Sequence, residues 1–207
     1  MASFSSGWIV ATAGICCFGF FKEFRILTPF IYQYLTDAKN FTLPVVEGYI
    51  FPYSTYSTLI FLIPASILTD FLRYKPMVIS EGLGYCMCWG LLIWGTTVTQ
   101  MQLMQVAYGW AEASEVAYYA YIYAVVDSSR YRTVTGYVRA AMLAGRAVGY
   151  NAGQGLMWIL GSYDVLNYIS LGSVGFATTI ACVLPAPKAL PVPLKQNVAA
   201  SSSVVTT

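Results

Sequence analysis

Thr99 to Val126 reads TQMQLMQVAYGWAEASEVAYYAYIYAVV, and the two carboxylates inside it decide how the whole chain is read. At roughly 1.5 Å per residue the stretch is long enough to cross a hydrocarbon core of about 30 Å as a helix. Glu112 and Glu115 stand near its middle. A charged side chain at the bilayer centre costs on the order of 2.5–3.5 kcal/mol on insertion scales, so a helix that keeps two must turn them toward protein or water. Gln105, Tyr108, Glu112, Glu115 and Tyr119 recur at steps of three and four, which sets them on one face. The expectation is a spanning helix with one polar stripe that lines a solute path.

Composition points the same way. Of 207 residues, 57% are hydrophobic and 10% charged, and the mean hydropathy is +0.61. A soluble domain carries about 25% charged residues. The chain therefore reads as an integral membrane protein. A net charge of +2 and the scatter of its basic residues give no footing for nucleic acid. There is no histidine, and no nucleophile–base pair, phosphate loop or metal-ligand spacing is found, so neither an enzyme nor a cofactor or metal centre is expected. The five cysteines lie in apolar runs and read as small hydrophobic residues.

Six spans follow from the apolar runs. They cover approximately 7–35, 50–69, 77–97, 100–126, 134–160 and 165–184, as one six-helix transmembrane bundle over 1–184. The first ends in Lys22-Glu23-Phe24-Arg25, breaks or kinks at Thr28-Pro29, and continues through Phe30 to Leu35. Asp37 to Gly48 reads as a polar loop holding the glycosylation sequon Asn40-Phe41-Thr42. Tyr53 and Tyr56 crowd the first half of the second span, where a solute meets them. Asp70 to Pro76 is a tight basic loop in which Asp70 and Arg73 are candidate ion-pair partners. Glu81 reads as a residue near the interface, or as a partner of Arg73. Residues 185–207 read as a disordered cytoplasmic tail.

Basic residues set the orientation. With the N-terminus in the cytoplasm, the inner loops and tail hold Arg73, Lys75, Arg130, Arg132, Lys188 and Lys195. The outer loops then hold Lys22, Arg25 and Lys39, six against three, and Asn40 lies outside. The expected location is the plasma membrane, with both termini cytoplasmic. Inside the membrane Glu112 and Glu115 oppose Arg139 and Arg146, seven residues apart on the fifth span. Two readings stand: buried ion pairs, Glu115 with Arg139 above all, or direct contact of Glu112 and Arg146 with a charged solute. Tyr108 is placed to stack on a flat heterocycle.

Several stretches carry a resemblance. LTDFLRYKP (Leu68 to Pro76), EVAYYAYIY (Glu115 to Tyr123), RYRTVTGYVRA (Arg130 to Ala140), LNYISL (Leu166 to Leu171), CFGFF (Cys17 to Phe21) and the pair Pro29-Phe30 together resemble the amino-terminal half of the reduced folate carrier and thiamine transporter family, within the major facilitator superfamily. The resemblance implies an all-α membrane protein, here one six-helix half of a twelve-helix carrier that moves a water-soluble vitamin by alternating access. EVAYYAYIY is closer to the thiamine-transporting branch than to the folate-transporting one, which implies a thiamine-like solute. In the thiamine branch two acidic cavity residues match Thr28 and Gln105 here, and both carboxylates are absent. A cavity tyrosine matches Tyr108, and Arg146 stands where that branch has an aromatic residue. Glu112, roughly 10 Å along the helix from Gln105, is a substitute partner for a cation. Arg146 is a substitute partner for a folate or another organic anion. One bundle does not enclose a cavity, so the expected partner is a second six-helix half, or a second copy in a homodimer. The alternative is a half-length form that regulates a carrier without transport of its own.

Overall fold

The computed structural model describes residues 2–72, 74–125 and 130–184. Among them are six long helices: α1 (Ala2–Glu23), α2 (Pro52–Phe71), α3 (Lys75–Trp94), α4 (Val98–Val125), α5 (Tyr131–Leu160) and α6 (Tyr163–Val183). The described residues form no strand. The described residues thus form an all-α bundle. Three helical segments are long and apolar enough to cross a membrane by length and composition: Leu43–Thr69, Lys75–Trp94 and Tyr163–Val183. Of the other three, α1 buries Lys22 and Glu23, α4 holds Glu112 and Glu115 part-buried, and the arginines of α5 are exposed. Arg73, the side chain of Asp70 and residues 185–207 lie outside the described part, so neither the Asp70–Arg73 pair nor the expected tail is described.

Packing is pairwise. α4 lies between α2 and α3, α5 lies against α1, and α6 bridges α1 and α3. The α1–α5 contact is made possible by missing side chains. Gly145 faces the Phe20 carbonyl and Gly153 the Ile26 carbonyl so closely that a Cβ at either would drive into backbone. Small residues of this kind let helices meet in a bilayer, where lipid removes the usual apolar drive for association.

The break in the first span is the feature that builds the site. α1 stops at Glu23, the chain turns through Phe24 to Leu27, and helix resumes as a tight turn at Thr28–Phe30, a single α-turn at Ile31–Gln33 and a wide π-turn at Tyr34–Ala38. Pro29 accounts for part of this, since it lacks an N–H and disfavours helix at Thr28. A break inside a bilayer strands backbone groups, and α6 supplies their partners. Ser173 Oγ donates to the Phe21 carbonyl at 2.7 Å, and the Leu27 N–H donates to Ser170 Oγ at 3.2 Å.

This corrects two expectations. Lys22, Glu23 and Arg25 are 1%, 2% and 5% exposed, so they lie within the bundle and not in an outer loop. The polar loop is only Lys39 to Thr42, because helix restarts at Leu43–Val45 behind Pro44 and runs through a π-turn at Val46–Ile50 into α2. Proline in the first turn of a helix costs nothing, since that N–H has no helical partner anyway. Asn40, in this short link, has φ +57°, a left-handed conformation asparagine tolerates well.

Candidate solute site

Beneath the break lies a cavity of about 290 Å³. The broken segment contributes Arg25, Thr28, Pro29, Ile31 and Tyr32. Phe51 and Ser54 come from the start of α2, Cys88, Trp89 and Leu92 from α3, and Met104, Gln105 and Tyr108 from α4. The volume is at the low end for ligand pockets. Thr28, Gln105 and Tyr108, three positions singled out from the sequence, meet here. Tyr53 and Tyr56 do not. They are exposed and stand outside this lining, whereas Ser54 faces inward and Ser57 Oγ reaches the Gln105 carbonyl at 3.2 Å. A step of one residue rotates a helical side chain by about 100°, enough to carry the tyrosines to the outer face.

Arg25 is the charged member of the lining. Its guanidinium lies 4.7 Å from the Tyr85 ring centroid and 6.0 Å from that of Tyr108, and the two rings meet edge to face at 5.9 Å. Such contacts hold an arginine in low dielectric without removing its donors. Two buried polar atoms of the lining, Thr28 Oγ1 and Trp89 Nε1, have no hydrogen-bond partner among the described residues. Each is a donor. The Tyr85 hydroxyl donates to Glu112 Oε1 at 3.0 Å. Glu112 lines a second, more open pocket of about 300 Å³ that shares Ser54 and Tyr108 with the first. A cationic wall and an anionic wall are thus separated by one tyrosine.

The ion pairs differ from those read in the sequence. Arg146 binds Glu23, through Nε at 3.0 Å and Nη2 at 2.8 Å, and not Glu112. Arg25 reaches the same carboxylate oxygen at 3.2 Å. Glu115 pairs with Lys22 at 3.4 Å, while Lys22 also donates to Glu81 at 2.6 Å. Arg139 stands with its guanidinium 5.8 Å from the Tyr119 ring centroid. Arg139, Arg146, Glu115 and Tyr119 line a third pocket of about 220 Å³. The physical reason is the break: it brings Lys22, Glu23 and Arg25 to mid-bundle, within reach of these side chains. Arg25 and Trp89, which line the cavity, and Tyr85, which packs on Arg25 and bonds Glu112, are the part of the site that sequence reasoning missed. The available signal was three charges following an apolar run with Thr-Pro close behind and no polar loop between.

Comparison with known proteins agrees with this architecture. The family model described as reduced folate carrier matches residues 6–202. Folate transporter 1 of Caenorhabditis elegans is 48% identical over 183 residues, 87% of this chain and 40% of that protein. Human thiamine transporter 2 is 44% identical over 188 residues, 90% of this chain and 38% of its own length. The reduced folate transporter of Rattus norvegicus is 41% identical over 175 residues, 84% of this chain and 34% of its own. The chain thus spans 40% or less of the length of these relatives. It belongs to the reduced folate carrier family.

Proposed function

We propose that this chain supplies one half of a carrier for a water-soluble vitamin, and that the cavity beneath the α1 break is its share of the solute site. The observation that carries the reading is convergence: Thr28, Gln105, Tyr108, Trp89 and Arg25, from three separate elements, line one space. A second six-helix bundle, or a second copy, closes the other side and rocks against this one. The charge asymmetry sharpens once Lys22 and Arg25 leave the outer count, because Lys39 alone then opposes six inner basic residues. That asymmetry, together with the sequon at Asn40, supports a plasma-membrane location with cytoplasmic termini.

Between the two vitamin classes named by the relatives, the lining favours a folate-like solute. Thiamine carries a permanent positive charge, whereas a reduced folate carries carboxylates. Arg25 is the one charged residue among those lining the cavity, the unpartnered Trp89 indole N–H is a donor, and the unpartnered Thr28 hydroxyl can donate as well as accept. Such a wall suits an acceptor-rich anion. The thiamine-like reading retains one specific observation, Glu112 in the adjoining pocket.

Trp89 provides the test, since it lines the cavity. Folates absorb where tryptophan emits. Titrating the purified chain with a reduced folate is expected to quench Trp89 emission saturably, and Trp89→Phe is expected to remove that component. Saturable quenching that survives in Trp89→Phe would move the site elsewhere. A response to thiamine that is lost in Glu112→Gln would favour the second reading.

A further inference from the structure

On one side the cavity is bounded by two aromatic rings. Tyr32 and Phe51 both line it, and their rings lie parallel, with an interplanar angle of 5° and centroids 6.3 Å apart. Each is partly buried against the core cluster that holds Trp89. Tyr32 stands on the single α-turn at Ile31–Gln33, and Phe51 where the π-turn Val46–Ile50 runs into α2. The ring pair thus bridges the resumed part of the first span and the start of the second. Behind it Trp89, on the cavity wall, is 3% exposed.

The backbone on both sides of the pair is pinned. Lys39 Nζ donates to the Ile93 and Gly95 carbonyls at 2.8 and 2.7 Å, which ties the end of the first span to the end of α3. Tyr34 and Leu35 are buried on the same segment. On the other side Gln102 Nε2 of α4 donates to the Tyr49 carbonyl at 2.9 Å, and Val46 and Ile50 are fully buried. The Tyr32 side chain is held more lightly. Its hydroxyl donates to Glu47 Oε1 at 3.2 Å, and this hydrogen bond is exposed. Water competes for such a bond, and a side chain released from it turns far faster than a pinned segment moves. The movable part of this wall is therefore one ring, and its latch is one carboxylate.

We propose that Tyr32 is a side-chain gate: laid on Phe51 and latched by Glu47, its ring shuts the cavity on the side of the short link between the first two spans, and a solute crosses there only when the ring swings off. Roles then separate. Arg25, Gln105 and Tyr108 set how tightly a solute is held, whereas Tyr32 and Glu47 set how fast it passes this side. The gate lies within one bundle and is distinct from the rocking of two. That the passing solute is a vitamin rests on the function proposed above; the closure of the cavity does not.

Acrylamide, a small neutral quencher, reports closure through Trp89 with no solute present. Quenching of the full 207-residue chain in detergent, compared with the same chain carrying Trp89→Phe, isolates the Trp89 component. Trp89 is expected to be shielded in the wild type. Tyr32→Phe keeps the ring and removes the latch, and Glu47→Ala removes the other end of it. Each is expected to raise the Trp89 quenching constant about fivefold, the shift that loss of one such hydrogen bond gives an equilibrium. The double variant is expected to match either single one, because both remove the same contact. Quenching of the other four tryptophans is expected to stay unchanged. Stopped-flow mixing with a reduced folate then separates a gate from a ligand contact: both variants are expected to speed binding and release by the same factor and to leave Kd in place. Acrylamide quenching equal in all chains, a rise shared by the other tryptophans, or a Kd that shifts through release alone overturns the proposal. Variants that open Trp89 to acrylamide in a chain with no folate response would uphold the gate and remove the folate reading.

Discussion

Glu23 holds two arginines, and replacing it by glutamine makes the sharpest stability prediction. The substitution keeps the shape of the side chain and removes its charge. Arg25, 5% exposed, is left without its carboxylate at 3.2 Å, and a guanidinium does not escape by losing its proton. Removing one member of a buried pair costs about 3–5 kcal/mol, and Glu23→Gln belongs in that range. Arg146→Gln is a milder change on the same network. Its side chain is 47% exposed, so solvent already screens the pair, and Glu23 keeps Arg25 as a partner. The expected cost is about 1 kcal/mol. The double variant is expected to be no less stable than Glu23→Gln alone, because Arg146 without Glu23 has water to fall back on. Equilibrium unfolding in mixed micelles, followed by tryptophan emission, measures all three. An Arg146→Gln cost equal to that of Glu23→Gln, or full additivity in the double variant, would refute the assignment of Glu23 as the shared counter-ion.

Three further outcomes are expected. Gly145→Ala places a methyl group against the Phe20 carbonyl, and overpacking there is expected to cost about 1–3 kcal/mol, whereas Gly155→Ala, where nothing lies within 4 Å, is expected to be neutral or slightly stabilising; the same unfolding assay reads both. Tyr85→Phe removes the 3.0 Å hydrogen bond to Glu112 and is expected to cost about 1 kcal/mol, with thiamine competing better against folate in the quenching assay because the freed carboxylate faces the second pocket. Asn40→Gln is expected to abolish a glycan-sized mass shift in a eukaryotic host; identical mobility of wild type and variant would remove one support for an external Asn40.

Much of the fold was legible because apolar runs of about 20 residues, separated by charged or proline-marked gaps, have few structural alternatives to spanning helices in a chain this apolar. The polar stripe of α4 was legible for the same reason: period alone aligns Gln105, Tyr108 and Glu112, and the structure turns all three toward pockets. Partner choice was not legible. Periodicity reports which face a residue occupies, not which neighbouring helix that face meets. Glu112 and Arg146 belong to spans that are consecutive in the chain, yet α4 packs chiefly between α2 and α3, and α5 against α1. Lys22, Glu23 and Arg25 read as an interfacial cluster because charges usually end a span. Ser170 and Ser173, 143 and 152 residues away from their partners, are what allow a helix to break in mid-bundle, and nothing local announces them. That Tyr53 and Tyr56 stand exposed, outside the lining of this cavity, was not legible either, since aromatic residues serve an exposed face as readily as a pocket.

The central claim is that this chain forms one wall of a vitamin carrier whose solute lies beneath the α1 break. Uptake of labelled reduced folate and labelled thiamine, by cells that express the chain alone or together with the remaining portion of a relative, tests it most directly. The expected result is saturable folate uptake in at least one of these arrangements. Thr28→Glu with Gln105→Glu, which places two carboxylates in the cavity, is expected to move selectivity toward thiamine. Absence of uptake of either vitamin in both arrangements, with the protein present at the cell surface, would contradict the claim.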